Sequence, residues 1–311
     1  MRVLVTGSTG LLGAHVVREL VRRGHAVRAL VRPGRSATPP PSPAVELAEG
    51  DLSDEASLRR ALRGCEGAVH AAGFLATSPA EHGTERATNV EGTTRFLRSA
   101  QAADVQRLVH VSSMAGVGFA REPVPLAETS RWNTGELGLA HFDAKKESEE
   151  RALAGAWAGM ELCVVNLGTL LGSRDDGRTH ALVAALRAGR LRASPAGGAS
   201  ALDAEDAARG CATALERGRR GERYLLGGTN VSWHALDTAL ARELGVAEPA
   251  AGGGLLARFR ATPEHDVLRP NGAWFWIDDA KARAELGHAS RPLAETVRRA
   301  CALSAAPERR S

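Results

Sequence analysis

Three glycines, Gly7, Gly10 and Gly13, punctuate an apolar N-terminal run, VLVTGSTGLLGAHVV at residues 3–17. The spacing suits a phosphate cradle built from Gly7, Thr9, Gly10, Leu11, Leu12 and Gly13. Gly7 permits a sharp turn, Gly10 lets the backbone approach a pyrophosphate, and Gly13 lets the next helix press on its strand. Free amides and the helix dipole then face the anion. An ordinary strand-turn-helix corner uses the same residue types, but the position directly after an N-terminal strand favours dinucleotide binding. Basic residues add two signals. No acid stands between Glu19 and Glu46, where an NAD enzyme would hold its ribose hydroxyls; Arg32 and Arg35 stand there instead and suit a 2′-phosphate, so NADP is expected over NAD. Only Lys145, Lys146 and Lys281 are lysines in an arginine-rich chain, and the adjacent pair either marks a task for a compact ammonium or decorates a solvated helix face.

These residues need elements to position them. Strand-like runs at Arg2–Thr6, Ala26–Val31, Val45–Glu49, Gly67–His70, Leu108–Val111 and Leu162–Asn166 alternate with helix-period segments at Leu11–Arg23, Ser57–Leu62, Glu85–Ala102 and about 140–158. The alternation predicts an α/β protein with a doubly wound, parallel Rossmann sheet. A proline-rich stretch at 33–43 reads as a surface loop. After Asn166 the pattern loosens. A helix near 203–217, a strand at Arg223–Leu226, helices near 233–244, 278–286 and 293–303, and a strand within 272–277 follow. The expected division is a nucleotide domain of 1–166 with 199–230, and a smaller, mostly helical substrate lobe of 167–198 with 231–311, packed over the carboxyl ends of the strands.

Composition narrows the functional classes. A chain of 311 residues with 43% hydrophobic content can bury a sizeable core, and disorder is excluded. No apolar run approaches the roughly 20 residues that span a bilayer, so neither a membrane partner nor a location outside the cytoplasm is expected. The net charge of +4 is modest and the arginines are dispersed, which argues against nucleic acid. Cys65, Cys163, Cys211 and Cys301 are scattered without close pairs; they read as core residues, and no metal is expected.

TGSTGLLG together with GDLSD at 50–54, HAAG at 70–73, TNVEGT at 88–93, HVSS at 110–113 and GERYLLGG at 221–228 resembles the extended short-chain dehydrogenases/reductases. Within them the chain is most similar to the dihydroflavonol-reductase-like branch and relatives described as sugar epimerases, from Met1 to DDAKARAELG at 278–287. The resemblance implies that Asp51 and Leu52 flank the adenine and that Ala71, Ala72 and Gly73 line the cofactor. It implies that Ser113, more than its neighbour Ser112, hydrogen-bonds the reacting oxygen. It also implies a homodimer through the helices holding Lys145 and residues 85–102. The family's central Tyr-x-x-x-Lys departs here. HFDAKKESEE aligns with His141 in the tyrosine position and Lys145 in the lysine position, with Glu149 at the family's following acid; Tyr224, the one tyrosine, lies in a distant predicted strand. Leu167 also follows Asn166 where the family has proline.

A nearby ammonium disfavours a second cation, so Lys145 is expected to push His141 toward neutrality. Neutral imidazole can still polarise a carbonyl beside Ser113, while Lys145 holds the nicotinamide ribose. Otherwise His141 merely fills the space of the lost tyrosine. Phe74–Ser78, Phe119, Trp132 and the loop 168–179 with Arg174 and Arg178 could line a substrate pocket. The resulting expectation is an NADP-dependent oxidoreductase acting on a carbonyl, enone or imine of a small molecule. Alternatives are a sugar-nucleotide epimerase or dehydratase, and an NADP-binding protein without turnover.

Overall fold

The computed structural model describes residues 1–34, 43–76, 78–157, 160–172, 177–252 and 269–303. Its centre is a seven-stranded, wholly parallel sheet. The strands are β1 (Arg2–Thr6), β2 (Ala26–Val31), β3 (Val45–Glu49), β4 (Gly67–His70), β5 (Arg107–Ser113), β6 (Glu161–Leu167) and, after three strands that pair elsewhere, β10 (Arg223–Leu226). Their spatial order is β3-β2-β1-β4-β5-β6-β10, so the order reverses between β1 and β4. Ligands of open α/β sheets sit at such a reversal, beyond the carboxyl ends of the strands.

Helices cover both faces, which is why the inner strands are apolar almost throughout. On one face α1 (Leu11–Arg22) and α7 (Ala204–Arg217) pack through Leu12, Val16, Leu20, Ala208 and Leu215 onto Val3, Val5 and Val165. On the other, α2 (Glu55–Leu62), α4 (Thr93–Ala102) and α5 (Ala140–Trp157) bury Leu58, Phe96 and Ala152 against Leu4, Leu108 and Val164. Local chemistry sets their ends. Asp54 caps α2 by accepting from the amides of Ala56 and Ser57, and Arg28, buried in β2, donates to the last carbonyls at Ala61 and Arg63. The segment expected as one helix over 85–102 is α3 (His82–Arg86), a π-helical turn at Ala87–Gly92, and α4.

The smaller lobe differs from expectation in carrying a sheet of its own beside its helices. Strand β9 (Gly197–Asp203) pairs with β7 (Thr169–Leu171), β11 (Thr229–Ser232) and β13 (Ala273–Phe275), while β8 (Ala193–Ser194) pairs with β12 (Ala250–Ala251). Residues 199–203 and 229–230, expected with the nucleotide domain, therefore pair in this second sheet. A small-residue strand is needed there: side chains at Gly197 and Gly198 would collide with the carbonyls of Ala273 and Val231. Helices α6 (Arg178–Arg187), α8 (Trp233–Leu244) and Leu293–Leu303 complete the lobe. The helix Ala280–Leu286, expected in the lobe, instead packs on α7 and β10, where Lys281 pairs with Glu222. Tyr224 is buried in β10, accepting from the Arg219 amide and donating to Glu285, remote from the crevice. All four cysteines are buried and free.

Candidate active site

The end of β1 and the start of α1 make the floor. Gly7 has φ +66°, and its backbone lies so close to the turn after β4 that a Cβ would stand 2.7 Å from the carbonyl of Ala71 and 2.8 Å from the amide of Ala72. The Gly10 amide donates to the Gly7 carbonyl at 3.0 Å, and a side chain on Gly13 would strike that carbonyl. Ser8 turns inward onto the Leu30 carbonyl, leaving Thr9 and Gly10 exposed and Leu11 half-buried at the crevice, with Leu12 buried beneath. Such a bare loop at a helix N-terminus fits a diphosphate.

The rim follows from the next strand ends. Arg32 is exposed just past β2; Arg35 lies outside the described residues. Asp51 accepts from the amide and hydroxyl of Ser53, which holds its carboxyl below the usual range, and the charges of Arg32 and Arg95 act the same way. Leu52 packs on Gly92 of the π-helical turn. Ala71 and Ala72 are half-buried and Gly73 is exposed. Asn89, buried in the π-helical turn, accepts from the Phe74 amide at 2.8 Å and donates to its carbonyl at 2.7 Å, fixing this wall.

Helix α5 supplies the candidate catalytic groups. The Nζ of Lys145 lies 3.5 Å from where a Gly73 methyl would be, so the ammonium stands at the cofactor wall. His141 is one turn earlier, and its Nδ1 is 2.6 Å from Oε1 of Glu85 on α3. Beneath Lys145 runs a buried polar chain. Thr6 Oγ1 accepts from the Ala72 amide and bonds Nδ1 of His70, whose Nε2 bonds Thr93; Thr93 meets Ser148, and Ser148 meets His110. Thr93 donates to the Asn89 carbonyl, so His70 donates from Nε2 and accepts at Nδ1. Burial, aided by the Lys145 charge, pushes His70 down to about 3. Burial and the neighbouring His70 and Lys145 likewise keep His110 well below its ordinary value.

The two serines at the end of β5 face different tasks. Ser112 is buried and donates to Oε2 of Glu149 at 2.7 Å; Ser113 is half-exposed and accepts the Ala115 amide. Asn166 donates to Glu149 and to the Ser113 carbonyl. Burial raises the Glu149 carboxyl, with Ser112, Arg223 and Asn166 opposing that rise.

This sequence of parts, a glycine cradle after β1, an acid after β3, a small-residue wall after β4, a serine ending β5 and a lysine on the following helix, matches one family model over residues 3–227. The chain belongs to the NAD dependent epimerase/dehydratase family. The chain is 34% identical over 235 residues to sterol demethylase protein B of Methylococcus capsulatus, covering 73% of this chain and 70% of that protein. A Synechocystis protein named after dihydroflavonol 4-reductase is 32% identical over 252 residues, 79% and 73% of the two chains. A Stigmatella aurantiaca protein, 4-hydroxy-2-methyl-3-oxo-4-farnesyl-3,4-dihydroquinoline-1-oxide ketoreductase, is 30% identical over 312 residues, 94% and 92%. Among solved structures, a nucleoside-diphosphate-sugar epimerase from Pseudomonas aeruginosa superposes with TM-score 0.84 at 29% identity, covering 97% of each chain. Family members are NAD(P)-dependent enzymes, and this chain is of the reductase and dehydrogenase kind.

The structure places the cradle, Leu52, Ala71–Gly73 and Ser113 at or just beyond the carboxyl ends of β1, β3, β4 and β5, with Lys145 Nζ against Gly73. Phe119 is instead core, packed on Phe275, and Trp132 bonds the Ala115 carbonyl. Arg174 lies outside the described residues. Sequence reasoning missed Glu85, Asn89 and the His70 chain. Glu85, Asn89 and Thr93 recur every fourth residue on one buried helix face, a polar stripe where apolar residues are the rule. Among the described residues no His/Cys/Asp/Glu group could hold a metal, and no helix is long and apolar enough to cross a membrane.

Proposed function

We propose that the chain is an NADP-dependent reductase acting on a carbonyl, enone or imine carbon of a small organic molecule. The observation that carries this reading is the placement of Lys145 Nζ against Gly73, with Ser113 ending the neighbouring strand and His141 one helical turn before the lysine. The bare backbone at Gly7 and Gly10 suits the diphosphate, the exposed Arg32 beyond β2 suits a 2′-phosphate, and the bound nicotinamide would supply hydride. Lys145 would hold the nicotinamide ribose, Ser113 would donate a hydrogen bond to the substrate oxygen or nitrogen, and His141 would provide the proton. The full-length likeness to a ketoreductase supports a carbonyl substrate.

The test is consumption of NADPH against NADH over a panel of aryl ketones, enones and cyclic imines. Turnover with NADPH preferred by at least about tenfold in kcat/KM supports the reading; no net consumption overturns it. The likeness to a nucleoside-diphosphate-sugar epimerase motivates a second reading. It requires cofactor retained through purification and interconversion of a sugar nucleotide without net NADPH loss. The assembly we propose is a homodimer through the helices at 85–102 and 140–157, and a monomeric mass by light scattering refutes it.

A further inference from the structure

The reductase reading leaves one buried acid without a task. The Glu85 side chain is 2% exposed and its Oε1 meets Nδ1 of His141, itself 11% exposed, at 2.6 Å. A carboxylate so far from water is costly unless it is paired and hydrogen-bonded. Tying α3 to α5 does not require it. Arg86, the next residue, already spans the two helices through a two-pronged bond to Glu147 at the surface. Apolar packing would join them with no desolvation penalty.

We propose, resting on the reductase reading, that Glu85 is a positioning residue for the reduction. Its carboxylate accepts Nδ1–H of His141, fixes the ring, and keeps it cationic, so that Nε2–H delivers the proton the family draws from tyrosine. Expectation from sequence had Lys145 alone acting on the imidazole and driving it neutral. The lysine's Cα lies about 6 Å of helix rise away, whereas the carboxylate is in direct contact, so the nearer, opposite charge prevails. Other charges on the elements packed against α5 offset one another: Arg86 with Glu147, Arg95 with Glu91, and Glu136 with Arg121. His110 is buried and neutral, and His82 and Asp143 are exposed.

The substrate carbon gains the hydride of NADPH, the C=O electron pair moves onto oxygen, and that oxygen takes the Nε2 proton. NADP⁺, an alcohol and a neutral imidazole still bonded through Nδ1–H to Glu85 remain. Water returns the proton to Nε2 before the next turnover.

The test is NMR titration of the histidine ring protons in cofactor-free protein, with His141→Gln to assign the signal. His141 is expected to titrate above its ordinary value of about 6.5, and Glu85→Gln to lower that midpoint by at least about one pH unit. The alkaline limb of kcat should move down by the same interval. A wild-type midpoint below about 6.5, or one unmoved in Glu85→Gln, overturns the proposal. If Glu85→Gln fails to fold, the wild-type titration decides alone. Turnover with an unshifted His141 sinks the pair and spares the reductase reading. A high, Glu85-dependent midpoint without turnover of any ketone, enone or imine sinks the reductase reading instead.

Discussion

Replacing Gly7 with alanine attacks the nucleotide cradle where two backbone segments touch. The new Cβ would sit 2.7 Å from the Ala71 carbonyl carbon and oxygen and 2.8 Å from the Ala72 amide, none of them the movable end of a side chain. Overpacking of that kind costs about 1–3 kcal/mol, and holding a non-glycine residue at φ +66° adds roughly 1–2 kcal/mol. Relief by shifting the turn would move the Gly10 amide and the α1 terminus away from the proposed diphosphate site. Calorimetric titration with NADPH should then show a loss of about 30-fold or more, the equivalent of about 2 kcal/mol. Gly24→Ala is the control. Gly24 has φ +82° with nothing within 4 Å of its Cβ, so it carries the backbone strain without the collision. It should lower Tm while leaving NADPH affinity unchanged. A Gly7→Ala protein that binds NADPH as the wild type does would refute the assignment of this turn to the coenzyme.

Ser113→Ala should lower kcat by about 10²-fold through loss of one donor to the reacting oxygen, measured in the NADPH assay. Ser112→Ala should act on stability, costing about 1–3 kcal/mol in urea unfolding because Glu149 loses a buried donor. His70 is held at about 3 in the folded protein against about 6.5 unfolded, so the unfolded chain binds the extra proton and stability falls as pH drops from 6.5 toward 3. By pH 5 the His70 share of that loss is roughly 2 kcal/mol, and His70→Gln should flatten the urea midpoint between pH 7 and 5. Tyr224→Phe should cost about 0.5–1.5 kcal/mol, since the Arg219 amide and Glu285 lose a partner, with kcat unchanged.

The nucleotide sheet was readable because β1, β2 and β4 are mostly apolar runs closed by turn residues; Arg2–Thr6, Ala26–Val31 and Gly67–His70, and also the edge strands Val45–Glu49 and Arg223–Leu226, have the same ends in sequence and structure. Strand β9 was not, because GGASALD holds no β-branched residue; its partners dictate small side chains, and that requirement exists only once β11 and β13 are in place. The spacing of His141 and Lys145 pointed to one helix face. The polar stripe of Glu85, Asn89 and Thr93 marks a face but not what it meets, since Glu85 reaches His141 across 56 residues of chain. Arg28 illustrates the same limit in reverse: nothing in the dispersed arginines singles it out, yet it caps α2 from inside the sheet.

The path of the chain between β6 and β10 has a practical consequence. After Leu167 it departs to lay down β7, α6, β8 and β9, and only then returns through α7 to place β10 beside β6. A graft exchanging the lobe for that of another enzyme must carry this return journey with it. Otherwise β6 is left as a raw edge, open to pairing with a neighbouring molecule. Replacing the lobe and keeping the protein in solution are thus a single engineering problem.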